Sequence, residues 1–199
     1  IGQVVYDPAK TSFRSEIDQA LRTRPDTLYL NSYTPDITVL LRELYRAGYD
    51  GRKFTFGYAA NAKLLESLPA EVVEGLTSFA PSPDVDSPAF KRVQAIVGPD
   101  PDPYSCQVHD HISLVALAIA QAGAASGPAI HDTVRAVGDP AGETVHSAVD
   151  GLKLIAAGRK VNYEGASGPC KFTPSGDITD CKFRFDIAEK GRYRLLGIS

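Results

Sequence analysis

The 199-residue chain is 43% hydrophobic and 23% charged, with a formal net charge of −3, so it has the apolar content for one ordinary core or two small ones. Its lysines and arginines are scattered among acids, which leaves no sustained basic field and excludes nucleic acid as the expected partner. The longest apolar stretch, residues 112–125, is too short for a bilayer span and rich in alanine, so it reads as a buried helix.

Residues 1–6 read as a strand already under way, with no charged n-region, signal peptide or cap before them. The chain is therefore expected to begin inside something larger. A repeated beat follows, in which short apolar strands at 27–30, 54–57 and 76–80 alternate with helical patterns at 12–23, 35–47, 61–68 and 88–97. Strands alternating with helices over such distances predict right-handed βαβ crossovers and a parallel sheet. The first helix is expected to bury Phe13, Ile17, Ala20 and Leu21. The second has Thr34 as N-cap, Pro35 at its first position, a stripe of Ile37, Leu40, Leu41 and Leu44, and Gly48 as its stop.

In a parallel sheet every loop after a strand lies on one edge, the edge at which open α/β folds bind ligands. The tips Tyr6-Asp7, Asn31-Ser32-Tyr33, Gly57-Tyr58-Ala59 and Pro81-Ser82 are expected to gather there. After the fourth strand, Pro81-Ser82-Pro83-Asp84 is too proline-rich to continue either pattern and suits a hinge or crossover.

From residue 88 to 158 the pattern is almost wholly helical. Helices are expected at 88–97, at 104–122, and in shorter pieces around 130–137 and 145–157. The helix 104–122 is apolar on most faces and must be covered on all sides, yet this stretch offers no recognisable strand. A sheet outside the chain is therefore expected to cover it.

The end of the chain, 168–187, returns to β structure. In Cys170-Lys171-Phe172-Thr173-Pro174-Ser175-Gly176-Asp177-Ile178-Thr179-Asp180-Cys181, a turn centred on Ser175-Gly176 sets the two cysteines opposite each other, within disulfide range. A Cys170–Cys181 bridge would imply an oxidising compartment such as the periplasm. Two reduced surface thiols are the alternative, and a turn one residue longer would move the cysteines out of register.

Other chemistries find little support. His109-Asp110-His111 suggests a metal, but residues two apart on a helix point about 200° away from each other, so the two imidazoles cannot share an ion. Cys106 with His109 one turn later lacks an oxyanion hole and a third orienting group. Gly57 and Gly75 fit no phosphate-cradling pattern. The strand tips hold Asp7, Asn31, Ser32, Tyr33 and Tyr58 but no histidine or cysteine, which disfavours a hydrolase or transferase. No cofactor, no metal and no catalytic residue is expected.

The order of parts resembles the C-terminal half of a type 1 periplasmic solute-binding protein, of the Leu/Ile/Val-binding group that serves ABC transporters. The segments that carry the resemblance are Tyr6-Asp7-Pro8-Ala9-Lys10-Thr11-Ser12-Phe13, Leu30-Asn31-Ser32-Tyr33, residues 41–51 and 114–119, Tyr163-Glu164-Gly165-Ala166-Ser167-Gly168-Pro169, and Phe172-Thr173-Pro174-Ser175-Gly176-Asp177. The resemblance implies an α/β fold with two lobes joined by three crossovers that close on a small molecule. On that map residues 1–81 form a parallel-sheet lobe, and 82–163 are helices of the other lobe, whose N-terminal half is missing. Residues 164–199 cross back as a β-hairpin.

The implied partners are a small-molecule ligand, an ABC transporter permease and the missing N-terminal half of the same protein, and the implied location is periplasmic. Tyr33 matches a family tyrosine that contacts the ligand, and Tyr104 falls where amino-acid binders place an aromatic against the ligand side chain. Amino-acid binders carry, in the loop after the third strand, an acid that pairs with the ligand's ammonium. This chain has Gly57-Tyr58-Ala59-Ala60 there, with no carboxylate. The candidate ligand-binding residues are Ser32, Tyr33, Tyr58 and Tyr104, suited by their flat faces and rim hydroxyls to an apolar or aromatic carboxylate or amino acid. A ligand-sensing receptor domain of the same fold is the alternative that this stretch does not separate from transport.

Overall fold

The computed structural model describes residues 2–99 and 101–199. Sequence periodicity fixes the elements of the first unit, Ile1–Ala80 with Phe183–Ser199. It contains α1 (Arg14–Leu21), β1 (Thr27–Leu30), α2 (Thr34–Arg46), β2 (Arg52–Phe56), α3 (Ala62–Ser67), a single turn α4 (Ala70–Val73) and β3 (Leu76–Pro81).

β1, β2 and β3 are parallel, with Leu30 beside Thr55 and Phe56 beside Phe79. The α2 stripe behaves as its spacing demands, with Ile37, Leu40, Leu41 and Leu44 all buried. Those side chains join Phe13, Ile17, Leu30, Leu64, Val73 and Leu76 in one cluster between the helices and one face of the sheet. Buried Thr55 donates from Oγ1 to the Leu30 carbonyl at 2.8 Å, which ties β2 to β1 by a side chain as well as by the ladder.

Residues 2–6 form no strand. They pair with no strand among the described residues, although β1 is the edge of the sheet, and Val5 is 80% exposed. Ile1 lies outside the described residues.

The second unit is Pro81–Lys182, in which the expected helices appear as α5 (Pro88–Val97), α6 (Pro103–Ala122), α7 (Gly127–Thr133) and α8 (Ala148–Ala156). Side chains placed as N-caps start them: Ser87 accepts from Phe90 N, Asp102 from Tyr104 N, and Ser147 from Asp150 N.

The unit also holds a sheet that the sequence reading missed. β4 (Glu143–Val145) pairs in parallel with β5 (Val161–Gly165), which pairs antiparallel with the two-residue β6 (Gly168–Pro169). Leu114 and Leu117 of α6 are buried with Val145, Val161 and Tyr163 of these strands. The expectation that the helices find no strand within the chain is corrected accordingly. Val108 and Ile112, on another side of α6, remain 59% and 66% exposed.

The C-terminal β structure also differs from expectation. The hairpin that joins the first unit's sheet is β7 (Phe183–Glu189) with β8 (Arg192–Ile198), in the order β1-β2-β3-β7-β8. Its turn places Lys190 and Gly191 at φ +52° and +75°, the two left-handed residues that a tight hairpin turn needs.

The segment 170–181 is a loop of the second unit, and the chain rejoins the first unit at Phe183. Within it Phe172 bridges Ile178, and Thr179 N donates to the Lys171 carbonyl. This register sets Cys170 across from Asp180, one residue off the alignment a disulfide requires. Both thiols are free, Cys170 buried and Cys181 exposed. Burial pushes the Cys170 thiol up to about 12 and that of buried Cys106 up to about 11.

Candidate functional site

At the tips of β1 and β2 the chain turns directly into α2 and α3, and the two loops are knitted together by polar side chains. Thr34 does not cap α2. The N-cap is Tyr33, without a side-chain cap bond, and Thr34 Oγ1 instead donates toward the carbonyls of Tyr58 and Ala59, each at 3.4 Å. Asn61 caps α3 through its carbonyl oxygen, while its Nδ2 donates to Thr34 Oγ1 at 2.9 Å and to the Tyr58 carbonyl at 3.3 Å. Gly57 N donates to the Phe79 carbonyl at 2.8 Å, which continues the β2–β3 ladder to the point where the chain turns outward.

This framework presents a row of rings. Tyr33 and Tyr58 have centroids 5.3 Å apart, and Tyr58 stacks on Phe56 at 5.2 Å with an interplanar angle of 19°. Phe56 touches Phe79 at 4.6 Å and Tyr29 at 5.6 Å on the sheet face opposite the helices, and Phe79 stacks on Phe185 at 6.3 Å. The outermost ring, Tyr33, is 71% exposed.

Hydroxyls rim the row. Tyr58 Oη donates to Asn31 Oδ1 at 3.4 Å, and Tyr6 Oη donates to Asp36 Oδ2 at 3.1 Å. Ser32 is buried, with its hydroxyl toward the Tyr33 carbonyl. Burial raises the Tyr58 phenol above its ordinary value, with a smaller contribution from Tyr33. Burial also raises Tyr6, reinforced by its hydrogen bond to Asp36 and the charge there. Both therefore stand as neutral hydroxyl donors at physiological pH.

Of the four candidate residues, the structure brings Ser32, Tyr33 and Tyr58 together. Tyr104 belongs to the second unit, at the second residue of α6. The sequence reading missed Asp36, Thr34 and Asn61. The signal for Asn61 was available in the Asn before the α3 pattern, whereas Asp36 reads in sequence as an ordinary acid in a helix first turn.

A second polar centre lies in the second unit. Asp110 of α6 is 1% exposed and receives Tyr163 Oη at 2.9 Å, Ala166 N at 2.9 Å, Ser167 N at 2.7 Å and the Ser167 hydroxyl, with His109 Nδ1 at 3.0 Å. The bend 165–167 is also held from the other side, where Ser87 Oγ donates to the Gly165 carbonyl and Asp84 N to that of Ala166. A Cβ at Gly165 would overlap the Asp110 carboxylate. With every donor answered and His109 turned into the same carboxylate, this centre is a structural knot.

The parallel-stranded α/β lobe completed by a late hairpin matches the fold of type 1 periplasmic binding proteins. The sequence model of the family described as periplasmic binding protein matches residues 1–191, and the chain belongs to that family.

Among solved structures it is similar to a leucine-binding protein, LivK, from Thermotoga maritima, at 19% identity and TM-score 0.72 over 99% of this chain and 51% of that one. It is similar also to LivJ, a branched-chain amino acid transporter substrate-binding protein from Streptococcus pneumoniae in complex with isoleucine. There the identity is 14% and the TM-score 0.63, over 98% of this chain and 49% of that one. A third is an ABC transporter solute-binding protein from R. palustris in complex with benzoate, at 15% identity and TM-score 0.60 over 99% and 50%. The chain thus spans about half the length of the structures it matches. No curated protein matches the sequence.

Proposed function

We propose that this chain is part of a periplasmic solute-binding protein that captures a small molecule for an ABC transporter permease by the hinge closure the resemblance implies, without chemistry on the solute. The strand-tip edge is its ligand surface in the first unit, with Tyr33 and Tyr58 as the flat contacts and Ser32 beneath them. Tyr104 is assigned as a further ligand contact from the second unit. The ligand class is a small apolar or aromatic carboxylate or amino acid.

The observation that carries this reading is the exposed Tyr33 ring, packed on Tyr58, which in turn stacks on Phe56, at the loop edge where open α/β sheets take ligands. Stacked rings with satisfied rim hydroxyls offer an apolar surface already in place, so little ordering cost is added on binding.

The test is a nuclear magnetic resonance titration of the chain with benzoate, phenylacetate, leucine and phenylalanine. Shifts concentrated at residues 31–34 and 57–59 and lost in Tyr58→Ala are expected. Shifts absent from those loops for every compound would refute the assignment.

A further inference from the structure

Two of the three cysteines share one loop of the second unit, and both are free. We infer that Cys170 and Cys181 are a redox pair: a disulfide oxidant joins them when Asp180 leaves its left-handed conformation, and the bond tethers the chain where it passes back to the first unit.

In the free-thiol form the loop is held near its tip. Phe172 bridges Ile178, Thr173 N donates to the Asp177 carbonyl at 2.7 Å, and Thr179 N donates to that of Lys171 at 2.9 Å. Continuing this register sets Cys170 opposite Asp180 and leaves Cys181 as its diagonal neighbour. The thiols are thus one residue out of register within one loop, and a single local shift separates them from pairing.

The structure also shows which side can shift. Cys170 is 2% exposed within the core of the second unit, and its carbonyl lies against Gly138, where a Cβ would overlap it. Asp180, Cys181 and Lys182 are exposed, and among the described residues neither the Asp180 nor the Cys181 amide donates a hydrogen bond. Asp180 sits at φ +60°, a conformation that costs an L residue energy. A β-bulge that sets Asp180 and Cys181 together opposite Cys170 takes Asp180 out of it. Facing residues of an antiparallel pair have Cα atoms about 4.5–5.5 Å apart, inside the disulfide range.

The chemistry is thiol–disulfide exchange. Exposed Cys181 gives its proton to solvent and attacks one sulfur of the oxidant, whose other half leaves as a thiolate and is protonated. Cys170 then loses its proton, attacks the Cys181 sulfur and expels the remaining half as a second thiol. Two protein S–H bonds become one S–S bond, and the two electrons end on the oxidant's sulfurs. Burial, which pushes the Cys170 thiol up to about 12, makes it the resolving partner and Cys181 the first to react.

The position gives the bond a consequence. Cys181 precedes Lys182, whose carbonyl accepts Ser82 N at 2.8 Å, and the chain enters the first unit at Phe183. Ser82 lies just beyond the other passage between the units, after Ala80. Oxidation therefore fastens to a core residue the stretch at which both passages meet.

The experiment treats the reduced native chain with mixtures of oxidised and reduced glutathione, then counts thiols in denaturant and maps the linked peptides by mass. Expected is a fall from three thiols to one, with Cys170 joined to Cys181, and hydrogen exchange at the Ser82 amide slowed about threefold or more in the bridged form. Cys170→Ser should stop at glutathione bound to Cys181. Asp180→Gly, which takes the left-handed conformation freely, should move the midpoint about threefold toward oxidised glutathione.

The unmutated chain decides the matter whatever the stability of the variants. Glutathione held on Cys181 as the final product, a Cys181–Cys181 dimer, or a bridge formed in denaturant alone would each overturn the pairing. An unchanged midpoint in Asp180→Gly would overturn the part given to Asp180, and unchanged Ser82 exchange the tether. No arm needs a solute, so the ligand-capture reading stands or falls separately.

Discussion

Removing the carboxylate of Asp110 is the sharpest test of the physical reading of the second unit. In Asp110→Ala two buried donors, Tyr163 Oη and the amide of Ala166, and the part-buried amide of Ser167 lose the acceptor they share. Tyr163 is fully buried, and its phenol is raised above the ordinary tyrosine value by burial first and then by the Asp110 charge, so it cannot escape by ionising.

Each unanswered buried donor costs roughly 1–3 kcal/mol. Partial relaxation and water entry return some of that, so the expected loss is about 3–5 kcal/mol. Asp110→Asn should cost about 2 kcal/mol, because its amide nitrogen faces donors where the carboxylate had an oxygen. Tyr163→Phe should cost about 1 kcal/mol, and much less when Asp110 is already alanine, since the two share one bond.

Urea unfolding followed by near-ultraviolet circular dichroism measures this directly, because the chain has nine tyrosines and no tryptophan. A loss in Asp110→Ala below about 0.5 kcal/mol, the range of ordinary surface changes, would refute the account.

The remaining expectations are independent of that knot. A thiol reagent at neutral pH should modify one of the three cysteines in the native chain, Cys181, and all three in denaturant; a denatured count of one would instead reveal a Cys170–Cys181 bridge. Leu117→Ala, at a fully buried position between α6 and the strands, should cost about 2–5 kcal/mol in urea unfolding. The Lys10 hydrogen bond holds the Glu16 carboxyl down to about 2. Its contribution is complete above the ordinary value of 4.5 and disappears as pH falls through about 2, so the stability difference between the native chain and Glu16→Gln should vanish there and shrink with salt at pH 7. A Glu16 titration midpoint near 4.5 by carboxyl resonance would contradict it.

The first unit was legible in sequence wherever burial was periodic. The α2 stripe names its own core face, and β1 was read at its observed bounds, because each pattern answers to one face of one element. Residues 2–6 have the composition of a strand, but a strand is a relation between chains of hydrogen bonds, and composition does not reveal that no partner among the described residues pairs with them.

β4 and β5 escaped for the opposite reason. β4 is three residues long, and β5 carries a buried Asn162 whose amide is satisfied by Thr144 and Glu164, a pairing invisible until the strands are adjacent. At the candidate site the rings could be named from their positions at strand tips. Asp36 could not, because what sets it apart is the hydroxyl of Tyr6, thirty residues earlier.

The first unit is assembled from two stretches of chain with the whole of Pro81–Lys182 between them. β3 gains its neighbour β7 only after about a hundred further residues have left the ribosome. Closing so long a loop costs only about 0.6 kcal/mol more than one half its length, so the arrangement weighs on kinetics more than on equilibrium. Until β7 emerges, the far side of β3 is an unfinished border beside Phe79, and nascent chains are most vulnerable to sticking together at that stage.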